Sequence, residues 1–267
     1  MPKNIRFSRT LIDQLQSAER VAVLTGAGIS AESGVPTFRG EHGLWKTYRP
    51  EELATVEAFL SNPALVWEWY TYRRKCISSV QPNPGHYALA DLEPMYGTFT
   101  LITQNVDGLH HRAGSRNILE LHGNITRNKC ISCGEIMNGA DFAGHGDVPR
   151  CSCGGLLRPD VVWFGEALPQ RELRLAFDAA ESSDLFFSIG TSGVVQPAAS
   201  IPQVARQNGA YVVEINIEET VMSPQIDESL FGLSGEVLPQ LVKHLAATGK
   251  PGPFRRVCRR SKTPSKP

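Results

Sequence analysis

No run of about 18 apolar residues occurs in the sequence, so no part of it reads as a membrane-spanning helix. The opening stretch, Met1 to Arg6, lacks the apolar core of a secretory signal, and the expected compartment is the cytoplasm. Net charge is absent too, with 27 basic residues against 27 acidic ones. Acids are missing altogether from Lys250 to Pro267. There Lys250, Arg255, Arg256, Arg259, Arg260, Lys262 and Lys266 leave 20 basic residues against 27 acidic ones upstream. The body is therefore acidic. The tail is a basic, Pro- and Gly-punctuated segment that buries too little apolar surface to offset its ordering entropy. We expect residues 250–267 to be a disordered, solvated tail, and nucleic acid, if bound at all, to be bound only there.

With 41% hydrophobic, 8% aromatic and 20% charged residues, the composition matches ordinary globular proteins and excludes wholesale disorder. A length of 267 residues fits one large domain, or one domain with a sizeable insertion. Short β-rich runs alternate with helical stretches, the pattern of an α/β fold with a Rossmann-like parallel sheet and helices on both faces. Val21–Leu24, Phe99–Thr103, Asp184–Ile189 and Ala210–Ile215 are nearly continuous apolar runs, as strands covered on both faces require. Leu11, Ile12, Leu15 and Ala18 fall at helical spacing behind a Ser8 cap. Further helices are expected at Arg171–Glu181, Pro197–Gln207 and Glu236–Ala247. Two stretches break the rhythm, an aromatic and basic helical one and one with four cysteines. We expect one domain over 1–249, with a large lobe from about 8–38, 81–125 and 159–249. The small lobe would come from insertions at about 39–80 and 126–158.

The strand at Val21 runs into Gly26-Ala27-Gly28, with Ser30 beyond. A glycine-rich turn at the carboxyl end of a parallel strand lets backbone N–H groups reach a pyrophosphate, but the spacing departs from the dinucleotide fingerprint, so a plain tight turn stays open. Gln104, Asn105, Val106 and Asp107 follow the Phe99 strand on the same rim. Their amides and carboxylate suit an amide-bearing or ribosyl ligand. His122 stands just past a short strand, beside Gly123. Its ordinary pKa near 6.5 suits general-base work, with a structural role and the rivals His110 and His111 left open.

Cys130 and Cys133, then Cys151 and Cys153, form two close pairs that can close a tetrahedral thiolate cage around one zinc ion. With all four positions filled by sulfur, such an ion is structural. Disulfides or free thiols are the alternative. Tyr70 and Arg73, three apart on an expected helix, put a phenol and a guanidinium on one face, and their common target should be an anion. A solvated basic edge that includes Arg74 and Lys75 is the alternative.

Together these motifs resemble one family, the sirtuins, NAD-dependent protein deacylases. The resemblance rests on Gly26 to Arg39 (GAGISAESGVPTFR), Thr103 to Asp107 (TQNVD), Leu121 to Gly123 (LHG), the four cysteines, Val161 to Glu166 (VVWFGE), Gly190 to Ser192 (GTS) and Asn216 to Glu218 (NIE). These occur in the family's order between about residues 8 and 246. Val106 stands where isoleucine is common, the second cysteine pair is one residue short, and the tail lies outside.

The resemblance implies NAD as co-substrate, held by Gly26, Ala27, Gly28, Ser30, Glu32, Thr37, Phe38 and Arg39, by Gln104 to Asp107, by Gly190, Thr191 and Ser192, and by Asn216, Ile217, Glu218 and Ser234. It implies Asn105 and Asp107 at the nicotinamide end and His122 as the base that activates a ribose hydroxyl. Products would be nicotinamide, unmodified lysine and O-acyl-ADP-ribose. Acyl-lysine protein substrates would bind as extended segments along Val162, Phe164, Gly165, Glu166, Val194 and Val195. Finally, it points to the class III branch, in which a Tyr-x-x-Arg pair reads the carboxylate of succinyl- or malonyl-lysine and a small residue, here Ala54, widens the pocket. Protein mono-ADP-ribosyl transfer with the same cofactor is the rival activity, told apart by whether nicotinamide release needs acyl-lysine.

Overall fold

In the computed structural model, residues 5–37, 49–138 and 148–249 are described. Phe38, Arg39 and the basic tail lie outside them. The chain runs α1 (Arg9–Ser17), β1 (Arg20–Thr25), α2 (Ala27–Ala31), α3 (Pro50–Leu53), α4 (Val56–Ser61), α5 (Pro63–Ser79), α6 (Pro84–Leu92), β2 (Thr98–Thr103), α7 (Leu109–Ala113) and β3 (Ile118–Glu120). It continues through β4 (Gly123–Cys130), β5 (Ile136–Asn138), β6 (Leu157–Val161), α8 (Gln170–Ser182), β7 (Leu185–Ile189), α9 (Ile201–Gln207), β8 (Tyr211–Asn216), β9 (Glu228–Phe231) and α10 (Ser234–Ala247).

The main sheet has the order β3-β2-β1-β7-β8-β9 with every pair parallel. Its apolar strands serve two cores. Val21 and Val23 of β1 face α1, α6 and α10, whereas Ala22 and Leu24 face α8 and α9. Burial on both faces is why these strands read as unbroken apolar runs. Ser8 caps α1 by accepting from the Leu11 N–H at 3.0 Å.

One expected helix is shorter than its apolar spacing suggests. Instead of a helix from Pro197, a 3₁₀ turn at Ala198–Ser200 precedes α9, which starts at Ile201 with Pro202 in its first turn. Proline there has no N–H to give and a ring that crowds the preceding turn, so the α-helical ladder begins around it.

A second sheet, antiparallel and ordered β5-β4-β6, carries the four cysteines. It packs with α4 and α5 around Phe59, Val66, Trp67, Tyr70, Leu157 and Trp163. Arg74 ties α5 to β4, donating to the carbonyls of Ile125 at 2.6 Å and Arg127 at 2.9 Å and to the Asn128 side chain at 2.6 Å. Of the three consecutive bases on α5, Arg73 is buried, Arg74 is half-buried and Lys75 is exposed.

Candidate active site

On either side of β1 the strand order reverses, between the β2–β3 half and the β7–β9 half, and the crevice at such a reversal is where α/β sheets bind ligands. The β1 and β7 loops meet there, backbone against backbone. Gly26 and Gly28 donate their N–H groups to the carbonyls of Ile189 at 2.9 Å and Gly190 at 2.8 Å. A Cβ on Gly26 would lie 2.7 Å from the Gly190 oxygen, so the glycines serve close approach of the two loops. Their own N–H groups are spent within the protein.

Around this junction the amides and hydroxyls of the polar cluster interlock. Asn105 Nδ2 donates to the Gly26 carbonyl at 3.0 Å and to Ser30 Oγ at 3.2 Å, and Ser30 Oγ donates to Asp107 at 2.7 Å. Burial pushes the Asp107 carboxyl up, while the Leu109 N–H and the Ser30 hydroxyl pull it back. Gln104 Nε2 donates to Thr191 Oγ1 and Asn216 Nδ2 to the Thr191 carbonyl, both at 3.0 Å. Glu32 and Ser234 meet each other instead: Glu32 accepts from Ser234 Oγ at 2.9 Å and the Gly235 N–H at 2.8 Å, fastening α2 to the start of α10. Ile217 and Glu218 are exposed beyond β8.

His122 lies between β3 and β4. Its Nδ1 is 2.9 Å from the Gln104 carbonyl, which can only accept, so Nδ1 carries the proton and Nε2 keeps its lone pair. Burial lowers the pKa of the ring, and the Gln104 hydrogen bond partly opposes that. The rival histidines sit elsewhere. His110 is buried 3.0 Å from Thr25 Oγ1, with its pKa pushed well below the usual range by burial, and His111 faces Glu120.

His122, Gln104 and Val106 line a cavity of about 210 Å³. Its other walls are Ala54, Trp69, Tyr70 and Arg73 from the small lobe, the segment Val161 to Glu166, and Val195 and Gln196. Val194 is exposed and outside these walls. Tyr70 and Arg73 are 1% and 7% exposed, and the Arg73 guanidinium lies 4.9 Å from the centre of the Trp69 ring. Burial raises the Tyr70 pKa and lowers that of Arg73, yet the phenol stays protonated and the guanidinium cationic near neutral pH.

Arg158, which the sequence does not single out, and Trp163 organise the segment after β6. Arg158 is buried, donates to both oxygens of Glu166 at 2.6 and 2.8 Å, and lies 3.3 Å from the centre of the Trp163 ring. Glu166 in turn accepts from the Trp163 N–H at 2.8 Å. β6 stops at Val161, and Trp163 turns inward to 2% exposure. Nothing in the spacing of Arg158 and Trp163 announces their contact.

The four cysteine sulfurs all lie within 4.8 Å of one another, with 3.5 Å between those of Cys130 and Cys153 and 3.7 Å between those of Cys133 and Cys151. None of the four is in a disulfide. Such separations match the edges of a tetrahedron with sulfurs about 2.3 Å from its centre, so the cluster fits one zinc ion with no open position.

Comparison with known proteins places this geometry. The model of the Sir2 family matches residues 26–197. The NAD-dependent protein deacylase 2 of Pyrobaculum aerophilum is 56% identical over 234 residues, 87% of this chain and 94% of the relative. The NAD-dependent protein deacylase of Pyrococcus furiosus is 54% identical over 242 residues, 88% and 97% of the two chains. A crystal structure of a Sir2 homolog–NAD complex is 45% identical with a TM-score of 0.86, covering 92% of this chain and 96% of that one. A structure of Sir2 with p53 peptide and NAD+ is 32% identical with a TM-score of 0.82, covering 91% and 100%. The chain belongs to the Sir2 family.

Proposed function

We propose that the chain is an NAD-dependent protein-lysine deacylase that removes acetyl and acidic acyl groups, succinyl and malonyl, from lysine side chains. The observation that carries this reading is one cavity lined both by His122 and by Tyr70 and Arg73. A lysine acyl chain long enough to bridge it would bring its amide to the catalytic rim and its distal carboxylate to a buried donor pair. Ala54, with no side chain beyond Cβ, leaves room for that extra length.

When bound, NAD supplies an electrophilic ribose carbon with nicotinamide as leaving group. The interlocked Ser30, Asn105 and Asp107 hold the nicotinamide end, and Gln104, Thr191 and Asn216 line the ribose side. His122 Nε2, the free lone pair of the ring, takes the proton of a ribose hydroxyl, and the Gln104 carbonyl steadies the cation that results. The segment Val162 to Glu166, with the Gly193 to Gln196 loop opposite, takes the peptide as an extended strand through backbone hydrogen bonds. Cys130, Cys133, Cys151 and Cys153 hold zinc as a structural ion. Their reduced thiols suit the cytoplasm.

Mass spectrometry of succinyl-, malonyl- and acetyl-lysine peptides incubated with the protein tests this reading. Loss of the acyl mass with NAD and none without it is the expected result. Nicotinamide release that does not need an acyl-lysine, with ADP-ribose gained by a protein, would favour the transferase activity instead.

A further inference from the structure

Tyr70 is 1% exposed, and its hydroxyl, among the described residues, makes one hydrogen bond: it accepts from Trp163 Nε1 at 2.8 Å. Indole N–H can only donate, so the phenol oxygen is an acceptor in that contact and its own hydrogen is not used there. A buried hydroxyl without an acceptor is costly, and this one belongs to a residue that lines the cavity together with Arg73, whose guanidinium lies 5.9 Å from the Tyr70 ring centre. The donor is therefore held ready for a ligand.

Trp163 is itself locked. Its ring lies against the Arg158 guanidinium, which is pinned by both Glu166 oxygens and by the Val161 carbonyl, while its backbone N–H is held by Glu166. Phe59 closes the other contact, its ring centre 5.4 Å from that of Trp163. The indole N–H cannot swing away from Tyr70 without breaking this clamp.

We propose that Trp163 is a specificity-determining positioning residue, whose indole N–H turns the Tyr70 hydroxyl into an obligatory donor aimed at the distal carboxylate of the acyl group. This rests on the acidic-acyl reading of the same cavity. Trp163 acts through Tyr70, and an acetyl group, which carries no distal acceptor, does not feel the orientation. Arg73 supplies charge and Tyr70 supplies direction. The clamp residue Glu166 belongs to the peptide-facing segment, so the same loop that takes the peptide also sets the donor.

The test measures binding of matched succinyl- and acetyl-lysine peptides by fluorescence anisotropy, without NAD, together with steady-state kinetics with NAD. Variants are W163F, Y70F, the double variant and R73M. Replacing Trp163 by benzothienylalanine, which keeps the ring shape and removes only the N–H, guards against a W163F protein that folds poorly. Expected are a three- to tenfold weaker succinyl-peptide affinity and a matching rise in KM with kcat little changed, the size of one oriented hydrogen bond, about 0.5–1.5 kcal/mol. Any loss on the acetyl peptide should be several-fold smaller than the loss on the succinyl peptide. Loss of the indole N–H should cost nothing further in the Y70F background. Equal losses on both peptides, or losses that multiply in the double variant, would overturn the proposal. If R73M weakens succinyl binding and removal of the indole N–H does not, this inference alone fails. If R73M is without effect on succinyl binding, the acidic-acyl reading fails with it.

Discussion

His122 has its proton on Nδ1 because the Gln104 carbonyl beside it can only accept, and its burial disfavours the imidazolium. A base must be neutral to work, so activity should be full at neutral pH and fall only as pH drops through a pKa below the ordinary 6.5. The pH profile of kcat/KM with an acyl-peptide checks this. An acid limb centred at or above 6.5 would contradict it. His122→Ala should abolish turnover and leave NAD binding largely intact, as measured by calorimetry, since the ring contributes the lone pair and not the loops that hold the cofactor. His122 was legible from its place after a strand and beside Gly123, but its tautomer was not, because the carbonyl that sets it comes from the neighbouring strand's end.

At the scale of elements, the junction of the β1 and β7 loops is the least forgiving part of the site. Gly190 has φ of +58° and a Cβ there would stand 2.5 Å from the Ile29 nitrogen and 2.8 Å from Gly28 backbone atoms. Gly190→Ala should cost roughly 2 kcal/mol or more, since overpacking of about 1–3 kcal/mol adds to the strain of a left-handed residue, and denaturant unfolding measures it. An unchanged midpoint would contradict the close packing. The strands beside it were readable because both faces are buried, which erases alternation and leaves plain apolar runs. Helix ends were readable where one residue decides them, as Ser8 does for α1. Longer-range partners were not. The contact of Glu32 with Ser234, 202 positions away, is one of them. Arg158, which no motif marks, clamps Trp163.

The molecule as a whole is two lobes with a shared cavity. The small one carries the four sulfurs, and Cys130 and Cys151 are buried in its apolar core. One zinc per chain is expected by elemental analysis, and Cys133→Ser or chelation should lower thermal stability far more than the activity of the folded fraction. A folded, active protein without metal would contradict this. Between the lobes, a network links Glu120 of β3 to Arg127 of β4 at 2.8 Å and Arg127 to Asp160 of β6 at 2.8 Å, so the end of the main sheet beside His122 is braced against the cysteine sheet. In the proposed function, chemistry from the large lobe and acyl recognition from α5 of the small lobe meet in one cavity. Kinetics of wild type and Arg73→Met on matched succinyl- and acetyl-lysine peptides test it most directly. A charge-assisted hydrogen bond to a buried carboxylate, about 1.5–3 kcal/mol, predicts a loss of about ten- to a hundredfold in kcat/KM on the succinyl peptide and little change on the acetyl peptide. Equal losses on the two peptides would mean that Arg73 serves the fold and not the acyl group.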